Sequence, residues 1–179
     1  MAKKEIILGV TASIAGFKAC DIIRALKEKG FEVTVVMTED AKKFITPLTL
    51  AVLSGNKVYS EMFADPKDWD IEHISLAQAA DLILIAPATA NIIGKIASGI
   101  CDDLLSSTVL AAKAAVLIAP AMNSNMYENK ITQLNITKLK NLGYRFVGPV
   151  TGRLATGKVG IGHLAKVEDI VSEVKRMLR

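Results

Sequence analysis

Short runs of β-branched and aliphatic residues alternate with helical stretches along this whole chain. That rhythm restricts the fold more than any single motif. Strands buried on both faces read as continuous apolar runs, and strands joined through helices lie parallel. "EIILGV" (5–10) is the first run, "EVTVVM" (32–37) the second and "KVY" (57–59) a short third. "DLILIA" (81–86), "AAVLIA" (114–119) and "YRFVG" (144–148) follow as the fourth, fifth and sixth. After the first run, "IAGFKACDIIRALKEKG" sets Ile14, Ala15, Ile22, Ile23 and Leu26 on one helical stripe and stops at Gly30. "TEDAKKF" and "PLTLAVLSG" read as short helices, "HISLAQAA" as a helical turn, and "DDLLSSTVLAAK", "YENKITQLNITKLKNLG" and "VEDIVSEVKRML" as longer helices. Residues 60–72 read as a polar loop carrying Trp69. The expectation is one α/β domain over residues 1–179: a doubly wound, Rossmann-like, six-stranded parallel sheet with helices on both faces.

Composition narrows the function classes. The 179 residues are 51% hydrophobic but only 5% aromatic, which suits alanine-rich helices packed closely on a sheet. The net charge of +4 comes from scattered lysines and arginines, with no basic tract interleaved with aromatics, so a nucleic-acid partner is not expected. No uncharged stretch approaches the length of a membrane span. The start, "MAKKEIILGV", imitates a signal peptide, but Glu5 interrupts it and the run reads better as strand one. Cys20 and Cys101 stand apart without metal or redox spacing, which fits a reducing cytoplasm. No metal site is expected.

Ligands in such a sheet bind outside the carboxyl ends of the strands, where strand order reverses. Four unusual loops leave those ends: "GVTASIAG", "TEDA", "PATAN" and "PAMNSNM". Strands one and four flank the reversal, so "GVTAS" and "PATAN" are expected to face each other. "GVTASIAG" lacks the three glycines of a dinucleotide fingerprint. It offers instead the Thr11 and Ser13 hydroxyls beside the N–H groups of a helix start, which suits one phosphate; Ser13 serves equally as a simple cap. Glu39 could meet a ribose, but Thr38 at the end of strand two reads as another phosphate or cap donor. A mononucleotide therefore fits better than NAD. The two Pro-Ala loops end alike in asparagine, a donor and acceptor without charge. Asn123 suits a carboxylate, and Thr89 and Asn91 suit a planar ring. His73 opens a helix after a polar loop; histidine as a residue type suits proton transfer, so it is either a catalytic group or a surface residue.

"GVTASIAGFKA", "TEDAKKFITPLTL", "EHISLA", "APATANIIGKIASGICDDLLSST" and "PAMNSNMYENKITQLNI" together resemble the phosphopantothenoylcysteine decarboxylases. The resemblance runs over nearly the whole chain. It implies FMN in the crevice, contacted by Gly9, Thr11, Ser13, Thr38, Pro87, Ala88, Thr89, Asn91 and the Ser106–Ser107 pair. It implies catalytic positions for His73 and Asn123, and a small cysteine-containing substrate touched by Ala121, Met122, Asn123, Met126, Ala155, Thr156, Gly157 and His163. It further implies a homotrimer or a dodecamer of trimers with FMN at a subunit interface. In that family the cysteine side chain of the substrate is oxidised, the neighbouring carboxylate leaves as carbon dioxide, and the enethiol is finally reduced. The synthetase often fused to such a domain has no counterpart in this sequence.

"GRLATGKVGIGHL" (152–164) resembles the family's flexible substrate clamp, A-C-G-x-x-G-x-G-R, with two changes. Thr156 stands where the clamp has cysteine, and His163 where it has arginine. A threonine hydroxyl does not ionise as a thiol does, so the oxidative decarboxylation is expected to stand and the reductive step to be impaired. Peptidyl-cysteine decarboxylases, which stop at the enethiol, also lack that cysteine and are the nearest alternative. Cys101 at a helix start is expected to be a buried packing residue and not a substitute thiol. Flavin prenyl transfer is disfavoured by "PAMN" and His73, and His73 together with Asn123 favours an enzyme over a flavin-binding regulator.

Overall fold

Ile6, Leu8 and Val10 on one side of the first strand, and Ile7 on the other, are all fully buried. The strand therefore lies inside a sheet covered on both faces, as its unbroken apolar run requires. The computed structural model describes residues 3–62, 71–153, 155 and 157–179. Its main sheet is built from β1 (Glu5–Val10), β2 (Glu32–Met37), β3 (Val58–Tyr59), β4 (Leu82–Ala88), β5 (Ala115–Pro120) and β6 (Arg145–Phe146). The order is β3-β2-β1-β4-β5-β6 and every pairing is parallel. The expected reversal between β1 and β4 is present.

One face carries α1 (Ala19–Glu28), α2 (Pro47–Ser54) and α8 (Val167–Met177), packed through Ile22, Ile23, Leu26, Leu50, Ile170 and Val174. The other carries α3 (Glu72–Ala79), α4 (Ala90–Ser98), α5 (Leu104–Ala111) and α7 (Lys130–Asn141), packed through Ile92, Ile93, Leu105, Ile136 and Leu139. Each such side chain contributes about 1.5–3 kcal/mol on burial. Gly9 lets this second layer close onto β1, since a Cβ there would stand 2.7 Å from a Leu105 methyl carbon.

Four local expectations need correction. The helix expected from Ile14 begins as a 3₁₀ turn, Ile14–Lys18, whose first N–H groups are gathered by Ser13; Ile14 is 60% exposed and leaves the core stripe. A helix over residues 90–98 was not expected, yet Thr89 caps it and Gly99 ends it at φ 71°. Asn129 divides the stretch after β5, because its side chain accepts from the Ile131 N–H and starts α7 anew after the short α6 (Ser124–Glu128). Finally, the stretch read as a loop carries two strands: β7 (Val150–Arg153) and β8 (Val159–His163) pair as an antiparallel hairpin outside the main sheet. Trp69 and Thr156 lie outside the described residues. Among the described residues, no helix is long and apolar enough to cross a membrane, and no cluster of three His, Cys, Asp or Glu side chains could hold a metal.

Candidate functional site

The β1 and β4 loops meet through one buried hydroxyl. Thr11 Oγ1 donates to the Pro87 carbonyl at 2.6 Å and accepts from the Thr89 N–H at 3.1 Å. "GVTAS" and "PATAN" thus face each other, as expected, but the clasp engages Thr11 with protein groups and takes it away from a phosphate. Pro87 and Ala88 are buried in the end of β4 and form the floor of this junction. Thr89 also caps α4 through the Ile92 N–H.

Above the junction opens a cavity of about 610 Å³, within the range of small-ligand sites. Ser13 and Thr89 line it, as do Ala121, Met122, Asn123 and Met126 from the loop after β5, and Ala155, Gly157 and His163 from the hairpin. Sequence reasoning missed Ala12, Phe17, Lys18, Arg153 and Leu164, which line it too. The adjacency of Arg153 to the clamp motif could have signalled its place; Lys18 carried no such signal.

The hairpin is tied to the β5 loop by backbone. The Met122 N–H donates to the Gly162 carbonyl at 3.0 Å, and Ser124 Oγ donates to the Ile161 carbonyl at 2.6 Å. Gly162 has φ 124°, and a Cβ there would stand 2.2 Å from the Met122 carbonyl oxygen. Only glycine permits that approach.

Two cavity side chains have their chemistry set by hydrogen bonds. Asn123 Oδ1 accepts from the Asn125 N–H at 2.9 Å and caps α6, which leaves its amide N–H₂ as the group still able to donate. His163 Nδ1 lies 2.8 Å from the Leu164 carbonyl. A carbonyl only accepts, so Nδ1 carries a proton and donates this bond.

Other expected residues lie apart. Thr38 does not line the cavity, but its Oγ1 is buried at the end of β2 with no partner among the described residues and makes no cap bond. A buried hydroxyl left this way costs roughly 1–3 kcal/mol. Gly9 lies under α5, and Asn91 is exposed on the first turn of α4, both outside the cavity lining. Ser106 is engaged in a capping box: its N–H donates to Asp103 Oδ1 at 2.8 Å and its hydroxyl to the Asp103 carbonyl at 3.0 Å. Ser107 donates to the Cys101 carbonyl. The pair thus shapes the start of α5, where burial alone would raise the Asp103 carboxyl, but bonds from Lys95 and Ser106 hold it below the usual range. Cys101, expected to be buried, is exposed. His73 is half-buried at the start of α3 and does not line the cavity of its own chain.

The flavoprotein family matches residues 1–179. A probable phosphopantothenoylcysteine decarboxylase of Streptococcus mutans is 46% identical over 177 residues, covering 98% of this chain and 99% of that protein. The bifunctional coenzyme A biosynthesis protein CoaBC of Bacillus subtilis is 47% identical over 168 residues, 94% of this chain but 41% of that longer protein. Among solved structures, a PPC decarboxylase mutant complexed with pantothenoylaminoethenethiol superposes with TM-score 0.87 at 31% identity, covering 98% of each chain. The FMN-dependent cysteine decarboxylase SpaF superposes with TM-score 0.86 at 30% identity, covering 99% of this chain and 96% of the other.

Proposed function

The chain belongs to the flavoprotein family, and from that premise we propose that it is an FMN-dependent carboxy-lyase. It decarboxylates a cysteine-derived carboxylate, phosphopantothenoylcysteine on the route to phosphopantetheine in coenzyme A biosynthesis. The observation that carries this reading is the clasp of Thr11 across the β1–β4 reversal beneath a cavity into which Asn123 can donate an amide hydrogen.

The donor set fits a mononucleotide. Ser13 at the start of the 3₁₀ turn, with the unpartnered hydroxyl of Thr38, would hold the phosphate. Thr89 would border the ring. FMN, when bound, supplies the two-electron chemistry that the side chains lack. The protein's part is to bind, orient and move protons. Asn123 holds the substrate carboxylate through its amide, the hairpin covers the cysteine end, and loss of carbon dioxide leaves electrons that delocalise toward sulfur.

His73 does not line the cavity of its own chain, so we assign it to a neighbouring copy's site. A homotrimer, or a dodecamer of trimers, would place FMN at that interface. Exposed Ile14, Phe17, Leu48 and Val52 supply apolar surface for such contact. The reading places the protein in the cytoplasm, with neither nucleic acid nor membrane as partner. The missing thiol at position 156 favours one second reading, a peptidyl-cysteine decarboxylase that releases the enethiol.

The purified protein is expected to be yellow and to release FMN on denaturation. A colourless protein that takes up no added FMN would end the proposal, and NAD uptake in its place would make the fold a plain dehydrogenase. At Asn123, replacement by alanine is expected to raise KM about 10- to 100-fold, the loss of one hydrogen bond to a charged group. Asn123→Asp keeps a capping oxygen for α6 but sets a negative charge against the carboxylate, so its KM should rise further. If Asn123→Asp binds substrate as well as the native protein does, the carboxylate is held elsewhere.

A further inference from the structure

We propose that Arg153 receives the far, anionic end of the substrate and so selects a phosphorylated small molecule over a peptide; this rests on the decarboxylase reading above. Two cavity-lining side chains are cationic, Lys18 and Arg153, and among the described lining residues there is no carboxylate. Lys18 is already engaged, 3.5 Å from Asp21 and 5.1 Å above the Phe17 ring. Arg153 makes no ion pair with any described residue, so it borders the cavity without a protein counter-charge among them.

Its place along the hairpin gives the direction. Gly162 touches the backbone beside Asn123, whereas Arg153 pairs with Val159 nearer the hairpin tip. Val159 and Gly162 are three strand positions apart, about 10 Å. A substrate whose carboxylate is held at Asn123 therefore extends its other end toward Arg153. A phosphate arriving there meets a planar fork of donors that matches its oxygens in pairs. A peptide of the same reach presents neutral amides at that point, which leave the guanidinium without an anion. The phosphorylated and peptide substrates thus differ in what they offer to Arg153.

The test compares phosphopantothenoylcysteine with its unphosphorylated counterpart on FMN-loaded native protein and on Arg153→Gln. The native protein should prefer the phosphorylated compound by about 10- to 100-fold in kcat/KM, the value of one or two charge-assisted hydrogen bonds. In Arg153→Gln that preference should collapse through a higher KM for the phosphorylated compound, with FMN content unchanged. No preference in the native protein, an equal loss on both compounds, or loss of FMN from the variant would overturn the assignment; the last would give Arg153 to the cofactor. Equilibrium binding of both compounds provides the same comparison without turnover. A native protein that binds with this preference but decarboxylates neither compound would support Arg153 while contradicting the decarboxylase reading.

Discussion

Asparagine in place of His73 is expected to leave FMN bound and to lower turnover by about 10²–10⁴-fold, the usual loss when a group moving a proton in the transition state is removed. Asparagine keeps a polar side chain of similar reach at the start of α3, so the helix is expected to persist. KM should change far less than kcat, because the imidazole acts on the reacting atoms and does not hold the substrate's ends. The position of His73 outside its own chain's cavity adds a second expected result. His73→Asn and Asn123→Asp, each impaired alone, should recover activity when refolded together, since some sites in a mixed assembly would join an intact His73 to an intact Asn123. Full activity in His73→Asn would reduce the histidine to a surface residue. Two impaired variants that fail to complement would show that both groups act within one chain.

The second large effect concerns which product leaves. With threonine at 156, the oxidative step is expected to outrun the reductive one, and the enethiol should accumulate under anaerobic conditions. Thr156→Cys restores a thiol, which gives up a proton far more readily than a hydroxyl, so the product should move toward the saturated thiol. His163 replaces an arginine fork with a ring whose Nδ1–H is bonded to the Leu164 carbonyl. If Thr156→Cys alone fails, the double change with His163→Arg is the fair comparison. A native protein that releases only saturated thiol would show that the missing thiol is dispensable here and that another donor, water or His163, completes the reaction.

Much of the fold was legible because buried strands announce themselves. Six apolar runs became the six strands of the main sheet, and the meeting of "GVTAS" with "PATAN" followed from strand order alone. The misses share a cause: short polar side chains decide local geometry against the wider pattern. Ser13 tightens the first helix into a 3₁₀ turn, and Asn129 cuts one expected helix into two. The helix after Thr89 was legible but overlooked, since Ile92, Ile93 and Ile96 stand between a threonine cap and Gly99. In the site, the loop residues were found by motif, yet motif could not tell which hydroxyls the protein itself engages. Thr11, Ser106 and Ser107 are bonded internally, whereas the Thr38 hydroxyl has no partner among the described residues. The glycine-rich stretch read as a loop, yet it pairs as a hairpin whose Gly162 lies close against Met122.

The most direct measurement is mass spectrometry of what FMN-loaded protein makes from phosphopantothenoylcysteine without oxygen. The account predicts a product lighter by carbon dioxide and two hydrogens, the enethiol, with the saturated thiol as the lesser species. A substrate recovered with its mass unchanged, by a protein that carries FMN, would contradict it.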